Sequence, residues 1–247
     1  MANVIFYHTG SEDTTFTASG GGDTINLQDR NPNHTWTSAS LSSGQSLIID
    51  LNSAKAVDSC VVDGANFLTN GATTITLQSS ALGVTYISVT TFSLSNSVQV
   101  ITFPSETKQY WKILFTKTSG SLSTYPIIGN IFLGTKIEMT IPYDSGYKTS
   151  RAFQTNKNRA IDGTYYSSQI YSGIDNYNFK FSNITNTLSD LLETLFNSVK
   201  GGLYPFYYSD TDSALLLVIL DSDENDLTKD GYNVNNVALQ FKTYLVQ

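Results

Sequence analysis

Short runs in which apolar and polar residues alternate dominate the chain from Met1 to Gly134. Such runs, separated by Gly, Ser, Asn and Pro, are typical of β-strands joined by turns. The predicted strands are NVIFYH, SLIIDL, AVDSCVVDG, TTITLQSS, VTYISVTTF, VQVITF, QYWKILFT and IIGNIFLG. About eight strands at this spacing predict a β-sandwich or jelly roll.

The second half of the chain combines strands with one helix. The segment TLSDLLETLFNSVKGG places six apolar residues on one helical face, namely Leu188, Leu191, Leu192, Leu195, Phe196 and Val199. Thr187 and Asp190 predict its N-terminal cap, and Gly201 predicts a left-handed residue after it. The predicted strands here are TYYSSQIYSG, YNFKFSN, YPFYYSD, ALLLVILD and NVALQFKTYLVQ. We therefore expect a mainly β protein, with a jelly-roll sandwich over residues 1–135 and a β-sandwich or barrel with one flanking amphipathic helix over residues 136–247.

Charge content excludes one class of ligand. Charged residues make up 14% of the 247 residues and the net charge is −7, so the chain offers no broad basic surface to neutralise phosphates. General nucleic-acid binding is therefore not expected. The single cysteine, Cys60, excludes an internal disulfide and is predicted to be a small buried residue. The glycine motifs that bind phosphates or dinucleotides are absent from the sequence, and we expect no cofactor.

The first residues, MANVIFYHTGSEDT, lack the basic start and the long apolar stretch of a signal peptide. No window approaches the roughly 18 consecutive apolar residues of a membrane span. We therefore expect synthesis in a cytoplasm without insertion into a membrane.

An ordered series of five motifs runs through the first half of the chain. They are NLQDRNPNHTWTS, SLIIDLNSAKAVDSCVVDGANF, TITLQSSALGVTY, YWKILFTKTSG and IIGNIFLG. In this order they resemble the discoidin domain, a galactose-binding-like jelly roll, many members of which bind sugars or lipid heads through loops at one end. The resemblance implies a glycan-binding loop that holds Asp29, Asn31, Asn33, His34 and Trp36. Amide and carboxylate groups would pair with sugar hydroxyls there, while Trp36 would stack on a ring face; a simple turn and a core position for Trp36 are the alternative.

The segment FKFSNITNTLSDLLETLFNSVKGGLYPFYYSDTD contains a strand, an amphipathic helix, a Gly-Gly cap and an aromatic strand. This order resembles minor tail proteins of long-tailed bacteriophages, in which a tail-tube-like β-sandwich with one helix forms rings. The junction IIGNIFLGTKIEMTIPYDSGY is similar to that between a discoidin-like and a ring-forming domain in phage tail-tip proteins. The resemblance implies a structural component of the tail tip, made in the host cytoplasm and located in the virion tail. Implied partners are copies of this chain in a sixfold or threefold ring, other phage tail proteins, and a glycan of the host surface.

Two sequence features predict the residues of an assembly surface. The segment KTSRAFQTNKNRA has four basic residues and no acid, which suits an acidic neighbouring subunit. Tyrosine suits interfaces because its large ring carries a polar hydroxyl, and the terminal strand NVALQFKTYLVQ is expected to pair at an exposed edge. The candidate surface comprises Lys148, Arg151, Tyr165, Tyr166, Tyr207, Tyr208, Phe241 and Tyr244. A solvated loop and core packing are the alternatives for the basic segment and the tyrosines.

Two other functions stay open on the sequence, a carbohydrate-binding module for host-surface glycans and a glycan depolymerase that uses paired acids. We expect no enzymatic activity, since the chain has only two histidines, His8 and His34, for nucleophilic catalysis. The segment DSDENDLTKDGY resembles a calcium loop at Asp221, Asp223 and Asn225 but lacks the required glycine and the final glutamate. A solvated acidic turn is the alternative, and no metal is predicted.

Overall fold

The computed structural model describes residues 4–8, 14–28, 31, 33–144, 148–152, 155–159, 165–169, 173–209, 215–221, 226–231 and 234–244. At residues 148, 155–159, 165–169, 226–231 and 234 the description covers the backbone alone. The chain divides into two compact units. The inserted unit comprises residues 7–136, and the discontinuous unit comprises residues 1–6 and 137–245, within the described ranges.

The chain opens with strand β1 (Ile5–Tyr7), and eight strands follow before residue 136. They are β2 (Thr15–Ala18), β3 (Trp36–Thr37), β4 (Gln45–Asp63), β5 (Thr74–Ser80), β6 (Ile87–Thr91), β7 (Gln99–Thr116), β8 (Ile127–Ile128) and β9 (Asn130–Gly134). The main sheet of the inserted unit has the order β2-β4-β7-β5-β6, with β9 paired to β4, and β3 pairs separately with β8. All of these pairs are antiparallel.

Strand β4 changes its second partner along its length while it stays paired with β7. The β4–β7 ladder is irregular between Asp50 and Lys55. Before this point β4 pairs with β2, and after it β4 pairs with β9. Such irregularities bend a strand, so both halves of β4 contribute to one core instead of extending a flat sheet. That core includes Trp36, Leu47, Ile49, Cys60, Val62, Phe67, Trp111 and Phe115.

The discontinuous unit contains the rest of the regular structure. Its elements after β1 are β10 (Lys136–Glu138), β11 (Lys148–Ala152), β12 (Thr155–Arg159), β13 (Tyr165–Gln169), β14 (Ile174–Ile184), α1 (Asn186–Ser198), β15 (Phe206–Ser209), β16 (Leu216–Leu220), β17 (Asp226–Gly231) and β18 (Val234–Thr243). The large sheet has the order β10-β1-β15-β16-β18-β14-β11, with β17 also paired to β18, and β12 and β13 form a separate pair. The predicted fold class, mainly β with one helix, is confirmed for the described residues.

Strand β1 departs from the predicted domain division. The sequence predicts NVIFYH as a jelly-roll strand, but β1 lies between β10 and β15 in the large sheet of the discontinuous unit. Phe6 is fully buried in the core of that unit, with its ring centroid 6.0 Å from that of Phe206. The N–H of Met139 donates to the carbonyl of Val4 at 2.8 Å. The chain therefore enters and leaves the inserted unit through two neighbouring strands of one sheet.

The N-cap of helix α1 lies two residues before the predicted cap. Thr185, and not Thr187, is the N-cap, and its hydroxyl accepts the N–H of Leu188 at 3.3 Å. The predicted left-handed residue is confirmed, since Gly201 has φ 58°. On the predicted apolar face, Leu191 is 40% exposed, whereas the other residues are buried or half-buried. The helix has 13 residues, and no helix within the described ranges combines the length and apolar character of a membrane span.

Strand β18 is an interior strand of the large sheet. It pairs with β14 along one side and with β16 and β17 along the other. The prediction that the terminal strand offers an exposed edge is therefore wrong, because its main-chain groups are already used on both sides. Among the described strands, β11 stands at one end of the sheet order and β10 at the other.

Candidate functional site

The predicted glycan loop forms a closed turn. Asp29 lies outside the described residues. The side-chain oxygen of Asn31 accepts the N–H of Asn33 at 3.0 Å, and the carbonyl of Asn31 accepts the N–H of His34 at 2.9 Å. Asn33 and His34 are exposed. The turn expected as the alternative is present, and it displays two polar side chains.

The ring of Trp36 is enclosed by the protein and offers no face to a ligand. Its side chain is fully buried in the core of the inserted unit, with its ring 6.4 Å from that of Phe115. The indole N–H donates to the carbonyl of Gly21 at 3.3 Å. Gly22, at φ +95°, allows the indole and the β3 backbone to approach closely, because a Cβ there would lie 3.0 Å from the indole nitrogen and 2.1 Å from the carbonyl oxygen of Thr37. The predicted role of Trp36 in sugar stacking is therefore wrong, and the core position is correct.

Three other segments of the inserted unit meet at one end of its main sheet. Residues 65–73 precede β5, residues 92–98 follow β6, and residues 118–126 come shortly after β7. The register places Thr74 opposite Thr116 and Thr76 opposite Thr91, so these strand ends lie together. We call the three segments the neutral loop surface. No charged residue occurs in them, and Ser, Thr and Asn together make up more than half of their sequence.

Hydrogen bonds fix the three segments to one another. The N–H of Leu68 donates to the side-chain oxygen of Asn96 at 2.8 Å, which joins the first segment to the second. The amide nitrogen of Asn66 donates to the carbonyl of Tyr125 at 2.7 Å, which joins the first segment to the third. The hydroxyl of Thr124 donates to the carbonyl of Thr69 at 3.2 Å. The surface is therefore held in one conformation before any ligand arrives.

Apolar side chains project from this polar surface. Leu68 is 62% exposed, Tyr125 45% and Leu94 43%. Beneath them Asn70 is fully buried; its side-chain oxygen accepts the N–H of Ala72 at 2.8 Å, while its amide nitrogen finds no partner among the described residues. A ring and two leucines among hydroxyl and amide groups form an uncharged amphipathic surface.

The neutral loop surface and the predicted turn at Asn31 are different places. In the β3–β8 pair, Trp36 lies opposite Ile128. His34 precedes β3 and Tyr125 precedes β8, so the two residues lie at opposite ends of this antiparallel pair. The sequence shows that each segment is uncharged, but only the strand register brings together three segments that lie far apart along the chain.

Three residues of the predicted assembly surface lie in the core instead. Tyr207, Tyr208 and Phe241 are almost completely buried in the discontinuous unit. The rings of Tyr208 and Phe241 are 4.9 Å apart. Their place on an assembly surface is therefore wrong, because the strands that carry them, β15 and β18, are interior strands of the sheet.

Of the other predicted assembly residues, the structure describes the side chains of Arg151 and Tyr244. Arg151, on β11, makes two hydrogen bonds to Asp175 at 2.6 and 2.8 Å, so its charge is paired within the chain. Hydrogen bonding to the guanidinium holds the pKa of the half-buried Asp175 carboxyl below its usual value. Tyr244 is half-buried, and its N–H donates to the carbonyl of Leu217. Lys148, Tyr165 and Tyr166 occupy strands whose backbone alone is described.

The candidate calcium loop is only partly visible. Asp221 is exposed and accepts the ammonium group of Lys242 at 2.6 Å, while Asp223 and Asn225 lie outside the described residues. Within the described ranges, no three His, Cys, Asp or Glu side chains come close enough to hold a metal ion.

Comparisons with known proteins give structural likenesses only. No protein-family model matches the chain, and no curated protein matches it. One similar solved structure is chitosan-binding module 1 of a chitosanase/glucanase from Paenibacillus sp. IK-5, with TM-score 0.44 and 20% identity over 52% of this chain and 100% of that one. Another is the family 32 carbohydrate-binding module of Clostridium perfringens NanJ in complex with galactose, with TM-score 0.41 and 21% identity over 52% and 98% of the two chains. A C. perfringens CBM32 module in complex with GalNAc-β-1,3-galactose has TM-score 0.41 and 14% identity over 49% and 95%. TM-scores below 0.5 assign no family to this chain.

Proposed function

We propose that the inserted unit binds a neutral glycan on the neutral loop surface. The observation that carries this proposal is the exposed ring of Tyr125, set among hydroxyl and amide groups on a surface without charged residues. Sugars present apolar C–H faces and many hydroxyls, which such a surface matches through ring stacking and hydrogen bonds. An acidic sugar or a phosphate would leave its charge unpaired there, because Lys117 only borders the third segment.

The same residues indicate how binding would work. Asn96 uses its side-chain oxygen to hold Leu68, which leaves its amide N–H groups to donate to sugar hydroxyls. The hydroxyl of Thr69 donates to a carbonyl of the chain, which leaves its lone pairs to accept. The hydroxyl of Thr124 also donates to a carbonyl, but it already accepts the side-chain amide N–H of Asn66 at 3.4 Å. Because the loops are fixed in advance, little conformational entropy is lost on binding. The neutral loop surface holds no carboxyl pair for glycoside hydrolysis, so we propose binding without cleavage.

A glycan array that contains neutral, sialylated and uronic-acid glycans tests this proposal on the full chain. We expect neutral glycans to bind, Tyr125→Ala to weaken binding at least tenfold, about 1.4 kcal/mol, and Tyr125→Phe to retain it. Leu82→Ala is the matched control, because Leu82 is 82% exposed on the turn at the other end of β5 and β6. Absence of binding to every neutral glycan, or equal affinity of wild type and Tyr125→Ala, would overturn the proposal. Release of reducing ends from a bound glycan would contradict binding without cleavage.

We also propose, as a second function, that the chain is a structural component of a long-tailed phage tail tip and assembles into a sixfold or threefold ring in the virion tail. The observation that favours assembly is β11, which stands at the end of the large sheet among the described strands and has exposed residues from Thr149 to Ala152. An end strand offers unpaired main-chain groups to a neighbouring strand. Purified tails with a label on this chain would carry the label in a ring at the tip. Single, non-ring copies or an unlabelled tip would rule this function out.

The two proposed functions are compatible. A ring presents several copies of the inserted unit at once, and several linked sites bind a glycan-coated surface far more tightly than one. Weak binding by a single neutral loop surface would then suffice for attachment.

A further inference from the structure

The main sheet of the inserted unit has a second face, which points away from the core. Side chains alternate between the two faces of a strand, and Trp111 of β7 lies in the core. Lys112, the next residue, therefore belongs to the outer face. The register places Ile48 of β4 on one side of Lys112 and Gln78 of β5 on the other. Three strands thus bring their outer side chains together around one cation.

Lys112 is a half-buried cation that makes no ion pair within the described part of the chain. Its Nζ lies 4.0 Å from the ring centroid of Tyr86, the residue before β6. Burial lowers the pKa of this ammonium group. A cation over a ring at a partly exposed site is a weak contact and replaces a counter-charge only in part. The ammonium group is therefore available to a ligand that carries an acid.

Two polar atoms near Lys112 lack hydrogen-bond partners among the described residues. The side-chain nitrogen of Gln78 donates to the hydroxyl of Ser88 at 3.3 Å, but its side-chain oxygen accepts from no donor. The hydroxyl of Tyr86 has no partner either. Leaving a shielded polar atom without a hydrogen bond is unfavourable, so a ligand that supplies the missing bonds is favoured. Both side chains are only half-buried, and small rotations of the kind common on binding would present the two atoms.

The hydroxyl of Tyr86 keeps its proton. Burial raises the pKa of Tyr86 above its usual value, and the nearby Tyr110 and Asp50 raise it further. The hydroxyl is therefore a donor. The carboxylate of Asp50 already accepts the side-chain amide of Gln109 at 2.9 Å and the N–H of Asn52 at 2.7 Å. These two donors offset part of its charge and reduce its repulsion of an anionic ligand.

The chemistry of the three groups specifies a ligand. An ammonium group pairs with a carboxylate, an amide oxygen accepts a hydroxyl, and an aromatic ring packs on the C–H face of a sugar. We propose that Lys112, Gln78 and Tyr86 form a second glycan site on the outer face of the main sheet, and that this site binds a carboxylate-bearing sugar. The sugar takes the place of the ammonium group on the ring of Tyr86, and Lys112 moves to pair with the carboxylate. Uronic acids and sialic acids both have this chemistry.

This site is separate from the neutral loop surface. That surface adjoins the ends of β5 and β7 at Thr74 and Thr116, which lie opposite each other. Gln78 and Lys112 form a later pair of the same ladder, roughly 13 Å from these ends at the usual rise of a strand. The inference goes beyond the proposed function and does not rest on it, so either site can fail alone.

A glycan array tests the site on the full chain with Tyr125→Ala, so that the neutral loop surface does not contribute. The array carries oligomers of galacturonic and mannuronic acid, their methyl esters, sialyllactose and lactose. We expect a carboxylate-bearing glycan to bind, and its uncharged counterpart to bind at least about tenfold more weakly, because Lys112 then has no charge to pair. Binding of the uronic acids alone, or of sialyllactose alone, identifies the source of the carboxylate. Absence of binding to every carboxylate-bearing glycan, or equal binding of acid and ester, would overturn the proposal.

Substitutions in the same chain locate the binding. Lys112→Met removes the charge but keeps an unbranched apolar side chain, and we expect it to weaken binding of the carboxylate-bearing glycan at least about tenfold. Lys180→Met is the matched control, because it removes the same charge from an exposed position on β14 in the other unit. Tyr86→Ala should also weaken binding. Melting temperatures show whether each variant is folded, and the comparison of acid with ester needs no substitution in the site.

Two further outcomes would contradict the assignment. Equal affinities of Lys112→Met and Lys180→Met would show that the acid binds elsewhere. A poly-glutamate peptide that binds as tightly as the sugar, with the same loss on Lys112→Met, would show that the site takes an acidic peptide and no sugar in particular.

Discussion

Burial decides which side chains of this protein are able to meet a ligand. Trp36 and Tyr125 are both aromatic residues in loop-rich sequence, and the resemblance to discoidin domains offers Trp36 for sugar binding, with a core position as the alternative. The structure encloses Trp36 completely and leaves Tyr125 45% exposed. A tryptophan next to polar residues is a poor guide because its large apolar ring is usually enclosed. The exposure of Tyr125 depends on a bond from Asn66, which lies far earlier in the chain, so no local pattern reveals it.

Cys60 supports a prediction that depends on pH. Cys60 lies on β4, which runs between β7 and β9, and its thiol is fully buried in the core of the inserted unit. This burial raises the pKa of the thiol from 9.0 to about 12. The unfolded chain therefore loses the thiol proton above pH 9, while the folded chain retains it up to about pH 12. The stability that this group contributes is complete below pH 9 and falls as the pH rises from 9 to 12.

We expect Cys60→Val to remove this pH dependence. Urea unfolding at pH 7 and pH 10 should show that wild type loses about 1 kcal/mol more stability than the variant between these values. All other groups are common to both proteins, so their titration cancels in the comparison. Wild type should also react slowly with a thiol reagent at pH 8 until it is unfolded. Equal losses of stability in the two proteins would contradict the assigned burial.

Element boundaries depend on partners that lie far away in sequence. The sequence predicts VQVITF and QYWKILFT as two strands, separated by a segment with Pro104, whereas the structure has one strand, β7. Pro104 falls where the β4–β7 register shifts, between Thr102 opposite Ser59 and Glu106 opposite Val57. Proline is tolerated at such a bulge because its missing N–H is not needed in the ladder. The apolar patterns thus predict the strands correctly but not their continuity.

Helix α1 offers a comparison between two neighbouring leucines. Leu192 is 2% exposed and Leu191 is 40% exposed, although the sequence places both on one apolar face. Leu192→Asp should unfold or strongly destabilise the discontinuous unit, by several kcal/mol, because the carboxylate would be buried without a partner. Leu191→Asp should cost less than about 1 kcal/mol, as expected for a surface position. The melting temperatures of both variants provide the measurement. Equal melting temperatures would contradict the finding that Leu192 faces the core and Leu191 faces away from it. Ser189 would be unsuitable as the control, since it is buried as well.

The order of segments along the chain does not reveal the order of strands in a sheet. The two halves of the sequence have different patterns, which predicts two domains in succession. In the structure, β1 and β10 are neighbours in one sheet. In the sequence, nearly all of the inserted unit lies between them. The three apolar positions of NVIFYH fit a strand of either unit, so the local pattern does not choose between them. The choice depends on the aromatic core that Phe6 completes with Phe206 and Phe241.

Two phenylalanines close together in sequence therefore test the architecture of the whole molecule. Phe6 belongs to the core of the discontinuous unit, and Phe16 on β2 belongs to that of the inserted unit. Each Phe→Ala substitution should cost about 3–5 kcal/mol, because it removes a buried ring and leaves a cavity. Hydrogen exchange measured by mass spectrometry locates the loss: Phe6→Ala should reduce protection in β14, β15 and β18, and Phe16→Ala in β4, β5 and β7. Loss of protection in β4 and β7 on Phe6→Ala, with β14 and β18 unchanged, would show that the first strand belongs to the inserted unit after all. Because the two variants carry the same chemical change near the same end of the chain, a difference between their exchange patterns reports only which core each ring occupies.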